Sequence, residues 1–223
     1  MKNSKEYAGR LQKLYRGLKP GRTKIEAVAY EDPLEAVIYG IVSERMRDDV
    51  AQAAMVGIRD TFIDWNDLRV SRVEEIVEIF GEDTPATRST GAALTMVLRA
   101  VFDAYHALTL QPLKKMGKRP AKQALEELQG MSRFAVNYCM LTSLQAHAIP
   151  LTASMVDYLR QQEVVDPQAD EEDIEGFLSR QVAAKNGYEF YALLRRASES
   201  ARVAKKKKKK TRRKSSKVAK AKK

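Results

Sequence analysis

Cysteine is almost absent: Cys139 is the only one in 223 residues. A single thiol excludes a disulfide framework within the chain and any multi-cysteine metal or iron–sulfur site. Long apolar runs are missing as well. No stretch approaches the roughly 18 consecutive apolar residues that a membrane-spanning helix needs. The opening segment, MKNSKEYAGRLQKLYRG, carries charge throughout and has no apolar centre of the secretory kind, so a protein that is not secreted is expected. Histidine is scarce too. His106 and His147 each lack a ligand-type partner three or four residues on, and they read as packing or surface residues rather than metal ligands. No segment alternates polar and apolar residues for long enough to argue for a strand.

What is present is charge, unevenly spread. Residues 1–24 hold eight Lys/Arg and one acid, and residues 201–223 hold fourteen Lys/Arg and no acid. The interior, 25–200, keeps 18 basic against 28 acidic residues, so an acidic body lies between two basic arms. The last stretch, KKKKKKTRRKSSKVAKAKK, has almost no apolar surface to offset chain entropy, and its lysines repel one another. It is expected to be a disordered tail over 201–223. Its natural partner is a polyanion. With about half its charges on phosphates, release of condensed counterions would give a log–log salt slope of roughly −6. The tail has no aromatic residue to stack on bases, so its contribution should ignore sequence. The same run reads equally as a nuclear signal and as an arm for a bacterial nucleoid.

The interior reads as helix after helix, and the expected class is all-α. Asp32-Pro33 is an N-cap followed by proline at the first helical position, opening a segment with Leu34, Val37, Ile38, Ile41, Val42 and Met46 on one face. Ser71-Arg72-Val73-Glu74 reads as a capping box before Ile76, Val77, Ile79 and Phe80, and Gly81 stops that helix. Further helices are expected over 87–110, 119–128, 132–146, 152–162, 171–184 and 188–199. TFIDWNDL, with the only tryptophan, Trp65, reads as a loop whose ring anchors packing or lines a groove. Cys139 lies in an apolar helix and reads as core.

One hairpin stands out. LEELQGMSRFAVNYCM, residues 125–140, ends one helix and starts another around Gly130, the residue type that a turn with φ > 0 wants. Lys114, Lys115, Lys118, Arg119 and Lys122 form the dense basic cluster just upstream, and Arg133 lies within the hairpin segment. Exposed backbone N–H groups at such a turn can hold a phosphate.

Three stretches together resemble the endonuclease III-like DNA glycosylases, the helix-hairpin-helix superfamily of base-excision repair. They are DPLEAVIYGIVSERMRDDVAQAAM, LRVSRVEEIVEIFG and LEELQGMSRFAVNYCML with the later AHAIPLTASMVDYL. The resemblance covers residues 32–199 and implies an all-α fold of two helical lobes over 25–200, with the hairpin at 129–134. It also implies that Gly130 is the first glycine of the hairpin and Ser132 replaces the second. The family's catalytic lysine falls on Phe134 and its catalytic aspartate on Thr152. The glutamine that fills the gap left by a flipped base falls on Arg45. The four-cysteine cluster is missing.

These substitutions carry chemical consequences. A lyase needs an amine to attack the sugar, and phenylalanine offers none. Base removal needs a carboxylate to stabilise positive charge on the sugar, and a threonine hydroxyl is neutral. Asp157 would replace it only through a five-residue shift that a gapless register does not need. The expectation is a catalytically degenerate, cofactor-free binder of duplex DNA, sequence-independent, using Arg45, Lys114, Lys115, Lys118, Arg119, Lys122, Gly130, Met131, Ser132 and Arg133. An active glycosylase or abasic-site lyase, and a helical protein-interaction module tethered by its tail, stand as alternatives.

Overall fold

The computed structural model describes residues 4–19 and 25–220, with side chains to Val203. Eleven α-helices are described: α1 (Ser4–Leu18), α2 (Pro33–Arg45), α3 (Asp48–Thr61), α4 (Trp65–Val70), α5 (Val73–Phe80), α6 (Pro85–Tyr105), α7 (Lys118–Glu126), α8 (Arg133–Thr142), α9 (Ala153–Gln161), α10 (Glu171–Gln181) and α11 (Gly187–Lys220). Among the described residues there is no strand, as the all-α reading requires. None of these helices is long and apolar enough to cross a membrane. They form two units: residues 26–150 with 182–188, and residues 151–181 and 189–220 with the amino-terminal segment.

The first of these units is organised around α2. Asp32 caps it, its carboxylate accepting from the Leu34 N–H at 2.9 Å, and Pro33 fits the first turn because no N–H is needed there. From Pro33 to Ser43 every residue except Glu35 is buried, so α2 is covered on all sides and not on one face alone. The expected single apolar face missed this because Ala36, Tyr39 and Gly40 also pack. The closest partner is α8. A Cβ on Gly40 would stand 3.0 Å from the Ala135 Cα, so the two backbones meet with nothing between them.

This pair runs antiparallel. The lead into α2 meets the far end of α8: the Tyr30 N–H donates to Thr142 O at 3.2 Å, and the Ser143 hydroxyl donates to Tyr30 O at 2.9 Å. Midway, the Cys139 thiol donates to Pro33 O, and burial pushes it up to about 12, leaving it an inert core group. Gly40 meets Ala135, two residues into α8. The last residue of α2, Arg45, therefore lies toward the start of α8.

Several boundaries differ from expectation by a turn. The capping residue of α5 is Arg72, whose N–H is accepted by Glu75 at 3.0 Å. Ser71 instead closes α4, its hydroxyl donating to Leu68 O at 2.8 Å. TFIDWNDL holds helix α4, since Asp64 accepts from both the Asn66 and Asp67 N–H groups at 2.8 Å. The helix expected to reach residue 110 stops at Tyr105, where His106 turns left-handed at φ 51. The one expected over 132–146 stops at Thr142, because the Ser143 and Leu144 N–H groups both turn back to Cys139 O.

In the other unit, the basic segment 1–24 is not a free arm over its described length. α1 buries Leu11, sets the Tyr15 ring edge-on to Phe190 at 5.2 Å, and pairs Lys19 with Glu189 at 2.9 Å. The Tyr15 hydroxyl also donates to Glu189. Beneath, Arg195 is buried on α11 and held by Glu199 at 3.0 Å and the Tyr191 hydroxyl at 2.9 Å, which satisfies a charge that would be costly alone. The backbone of α11 is described to Lys220, into the segment expected to be a disordered tail.

Two outcomes follow from these contacts. Gly40→Ala should destabilise the protein in urea unfolding by about 1–3 kcal/mol through overpacking on Ala135, despite roughly 1 kcal/mol of better helix propensity. Hydrogen bonds from Tyr15 and then Lys19 hold the Glu189 carboxyl below its ordinary value of 4.5. That contribution is full above pH 4.5 and is lost as pH falls through the lower folded value. The protection of α1 amides, measured against the intrinsic exchange rate at each pH, should accordingly fall on acidification, and Glu189→Gln should remove that pH dependence.

Candidate nucleic-acid interface

The hairpin between α7 and α8 is built on a tight turn. The Met131 N–H donates to Leu128 O at 3.1 Å, and Gly130, third of the four residues, has φ +89, the pattern of a type II turn. Glycine is required there twice over. A side chain would be strained at that φ, and its Cβ would lie 3.1 Å from the Met96 Cγ and Sδ on α6. Ser132 needs no such freedom. It has φ −92 and caps α8, its Oγ accepting from the Ala135 N–H at 3.1 Å. A serine therefore fits where the resemblance has a second glycine, and its hydroxyl hydrogen remains a donor.

The antiparallel α2–α8 pair puts Arg45 and the hairpin residues at one end. Arg45 ends α2 on the side where α8 begins, so it shares an end of the pair with Gly130, Ser132 and Arg133. Arg45 and Arg133 are both exposed, and Arg45 has no hydrogen-bond or ion-pair partner among the described residues. The start of α8 adds the partial positive charge of a helix amino terminus. The Met131 N–H, by contrast, is committed to the turn.

Two members of the basic cluster are anchored away from the hairpin. Lys114 Nζ donates to Glu31 O and Lys118 Nζ to Leu144 O. Both carbonyls belong to the opposite end of the pair, beside Tyr30 and Thr142. The length of α8, about 15 Å, separates the two ends. Lys122 pairs with Glu126 at 3.5 Å along α7. Lys115 and Arg119 are exposed and have no partner among the described residues. Neighbours in sequence were driven apart because α7 itself carries the chain from one end to the other.

The two positions aligned with catalytic residues are both buried and engaged within the fold. Phe134 is 3% exposed and stacks on Tyr138 with ring centroids 6.0 Å apart, in a cluster that Tyr30 and Tyr39 complete. Thr152, in the other unit, is 5% exposed and caps α9, accepting from the Met155 N–H at 3.3 Å and bonding Ser154 Oγ at 3.0 Å. Asp157 is exposed further along α9. With Cys139 alone and buried, the chain has no thiolate set for a four-cysteine cluster.

No protein-family model matches the sequence, and no curated protein matches it. Solved structures do match. An 8-oxoguanine glycosylase/lyase of Clostridium acetobutylicum, in complex with DNA holding cytosine opposite 8-oxoguanine, superposes with a TM-score of 0.67 at 15% identity, over 90% of this chain and 71% of that one. Endonuclease III trapped as a covalent intermediate with DNA gives 0.64 at 12% identity, over 87% and 85%. The 3-methyladenine DNA glycosylase of H. pylori bound to 1,N6-ethenoadenine gives 0.58 at 7% identity, over 91% and 98%. Helix order, hairpin and these superpositions agree, and the chain has the all-α helix-hairpin-helix fold of the endonuclease III-like DNA glycosylases.

Proposed function

We propose that this chain binds duplex DNA through the hairpin end of the α2–α8 pair and does not cleave the glycosidic bond. The observation that carries the reading is that Arg45 and the Gly130–Arg133 turn share one end of two helices locked by the Gly40–Ala135 contact. A phosphate at the start of α8 would gain from the helix dipole, the Ser132 hydroxyl and the Arg133 charge. Such a contact fixes position on the duplex and carries no sequence information. Arg45 is long enough to wedge into a distorted base pair, which favours bent or damaged DNA. The solved structures of the same fold in complex with DNA support DNA as the partner. The lysines and arginines of 201–223 add sequence-blind affinity.

The absence of chemistry rests on Phe134 and Thr152. A buried phenyl ring supplies no amine for a Schiff base, and a capping hydroxyl supplies no negative charge opposite an oxocarbenium-like sugar.

The test compares affinity for an abasic-site duplex with that for an intact one at fixed salt. A preference of about tenfold, roughly 1.4 kcal/mol, is expected, and Arg45→Glu should abolish it. Gly130→Ala should weaken binding to both duplexes, because a side chain at φ +89 strains the turn. Equal affinities that ignore both substitutions would leave the carboxy-terminal cations as the DNA contact and overturn the hairpin reading. Borohydride treatment on the abasic duplex should trap no covalent adduct; an adduct would overturn the loss of chemistry.

A further inference from the structure

Beyond duplex binding, we infer a subsite for one unpaired nucleobase of a single-stranded segment, in the groove between the start of α4 and the end of α6. The cavity measures about 320 Å³ and is lined by Asp64, Trp65, Asn66, Phe102 and Leu108. That lies at the small end of the roughly 300–1,000 Å³ range of small-ligand pockets. Two aromatic rings thus share one small cavity. Phe102 is 36% exposed, and the Arg69 guanidinium sits over its ring, 4.4 Å from the centroid. Arg69 is fixed there by the Asn66 Oδ1, which accepts from its Nε at 3.1 Å and Nη2 at 2.8 Å. A cation held flat against an aromatic ring, beside a second ring, is the combination that stacks bases without reading sequence.

The groove also connects to the hairpin. Met96, against which Gly130 packs, begins a row of exposed residues at three-residue steps, Met96, Arg99 and Phe102, that are neighbours on the surface of α6. A strand leaving a phosphate at the hairpin would pass Arg99 before its base reached Trp65. Three acids border this route. Asp64 accepts from two N–H groups of its own helix at 2.8 Å, and Asp67 accepts from the Ile63 N–H at 3.2 Å. Asp103 lies one turn on from Arg99, so a strand depends on Arg69 and Arg99 to offset the three. Two arginines among aromatic rings suit a base and its phosphates. An apolar peptide would use the rings and leave the arginines idle.

This subsite rests on the hairpin reading, and the experiment separates the two. Trp65 is the only tryptophan, so its emission reports on the groove directly. The full-length protein is titrated with a blunt duplex, with the same duplex carrying a short single-stranded overhang, and with oligothymidylate alone. The overhang should tighten binding at least tenfold and quench Trp65, and the blunt duplex should bind without quenching. Phe102→Ala, at an exposed position, should remove the gain and leave blunt-duplex affinity unchanged. Asn66→Ala, which frees Arg69, should remove part of it. An overhang that gives neither gain nor quenching, while the blunt duplex still binds, overturns the subsite and leaves the hairpin reading intact. Quenching by oligothymidylate without any blunt-duplex binding sustains the subsite and overturns the hairpin. An acidic, leucine-bearing peptide that quenches as well as the overhang overturns the subsite in favour of a protein partner.

Discussion

The contact on which the candidate interface depends is the one with no side chain in it. Gly40 lets α2 lie directly on Ala135 of α8, and every positional statement about the hairpin follows from that closeness. Two helices held at backbone contact in antiparallel order have no freedom to slide, because a shift of one residue would bring a larger side chain into the gap. The start of α8, the Gly130 turn and Arg45 are thereby held as a set. Met96 does the same from α6, resting against the glycine that makes the turn. The functional end of this unit is rigid because its supports are small residues and a thioether, packed where charge is not needed.

Charge is distributed by a different logic. Lys114 and Lys118 are anchored to backbone carbonyls at the far end of the α2–α8 pair, where they satisfy carbonyls left open beyond helix termini. In the other unit, α1 ties Arg10 to Glu6 and Lys19 to Glu189. Cations in intramolecular pairs hold the fold and offer little to a polyanion. Other cations, Arg45, Arg99, Lys115 and Arg119 among them, have no such tie among the described residues.

Local signals were legible in the sequence, and long-range ones were not. Asp32-Pro33, Gly81 and Gly130 each act within a few residues, and each stands where its chemistry predicts. Capping slipped by one residue at Ser71, because serine serves equally to close one helix or open the next. The burial of α2 on every side was hidden, since Glu35 and Tyr39 look amphipathic until a neighbour covers the tyrosine. The anchoring of Lys114 and Lys118 was hidden, because adjacency along a chain says nothing about which end of a helix a residue occupies. At the groove beside Trp65 the sequence shows only one ring, free to anchor packing or to line a surface. Its other wall, Phe102, is 37 residues away and carries no local mark.

The two positions aligned with catalytic residues differ in what the fold asks of them. Threonine and aspartate both serve as helix N-caps, so a carboxylate at residue 152 would keep the cap of α9. Yet at 5% exposure it would stand almost without water and need every hydrogen bond within reach. Phe134 is the stricter case. Its ring is part of a buried aromatic cluster, and a lysine there would have to bury an ammonium group or rebuild its surroundings. One exchange keeps the local geometry; the other has to remake it.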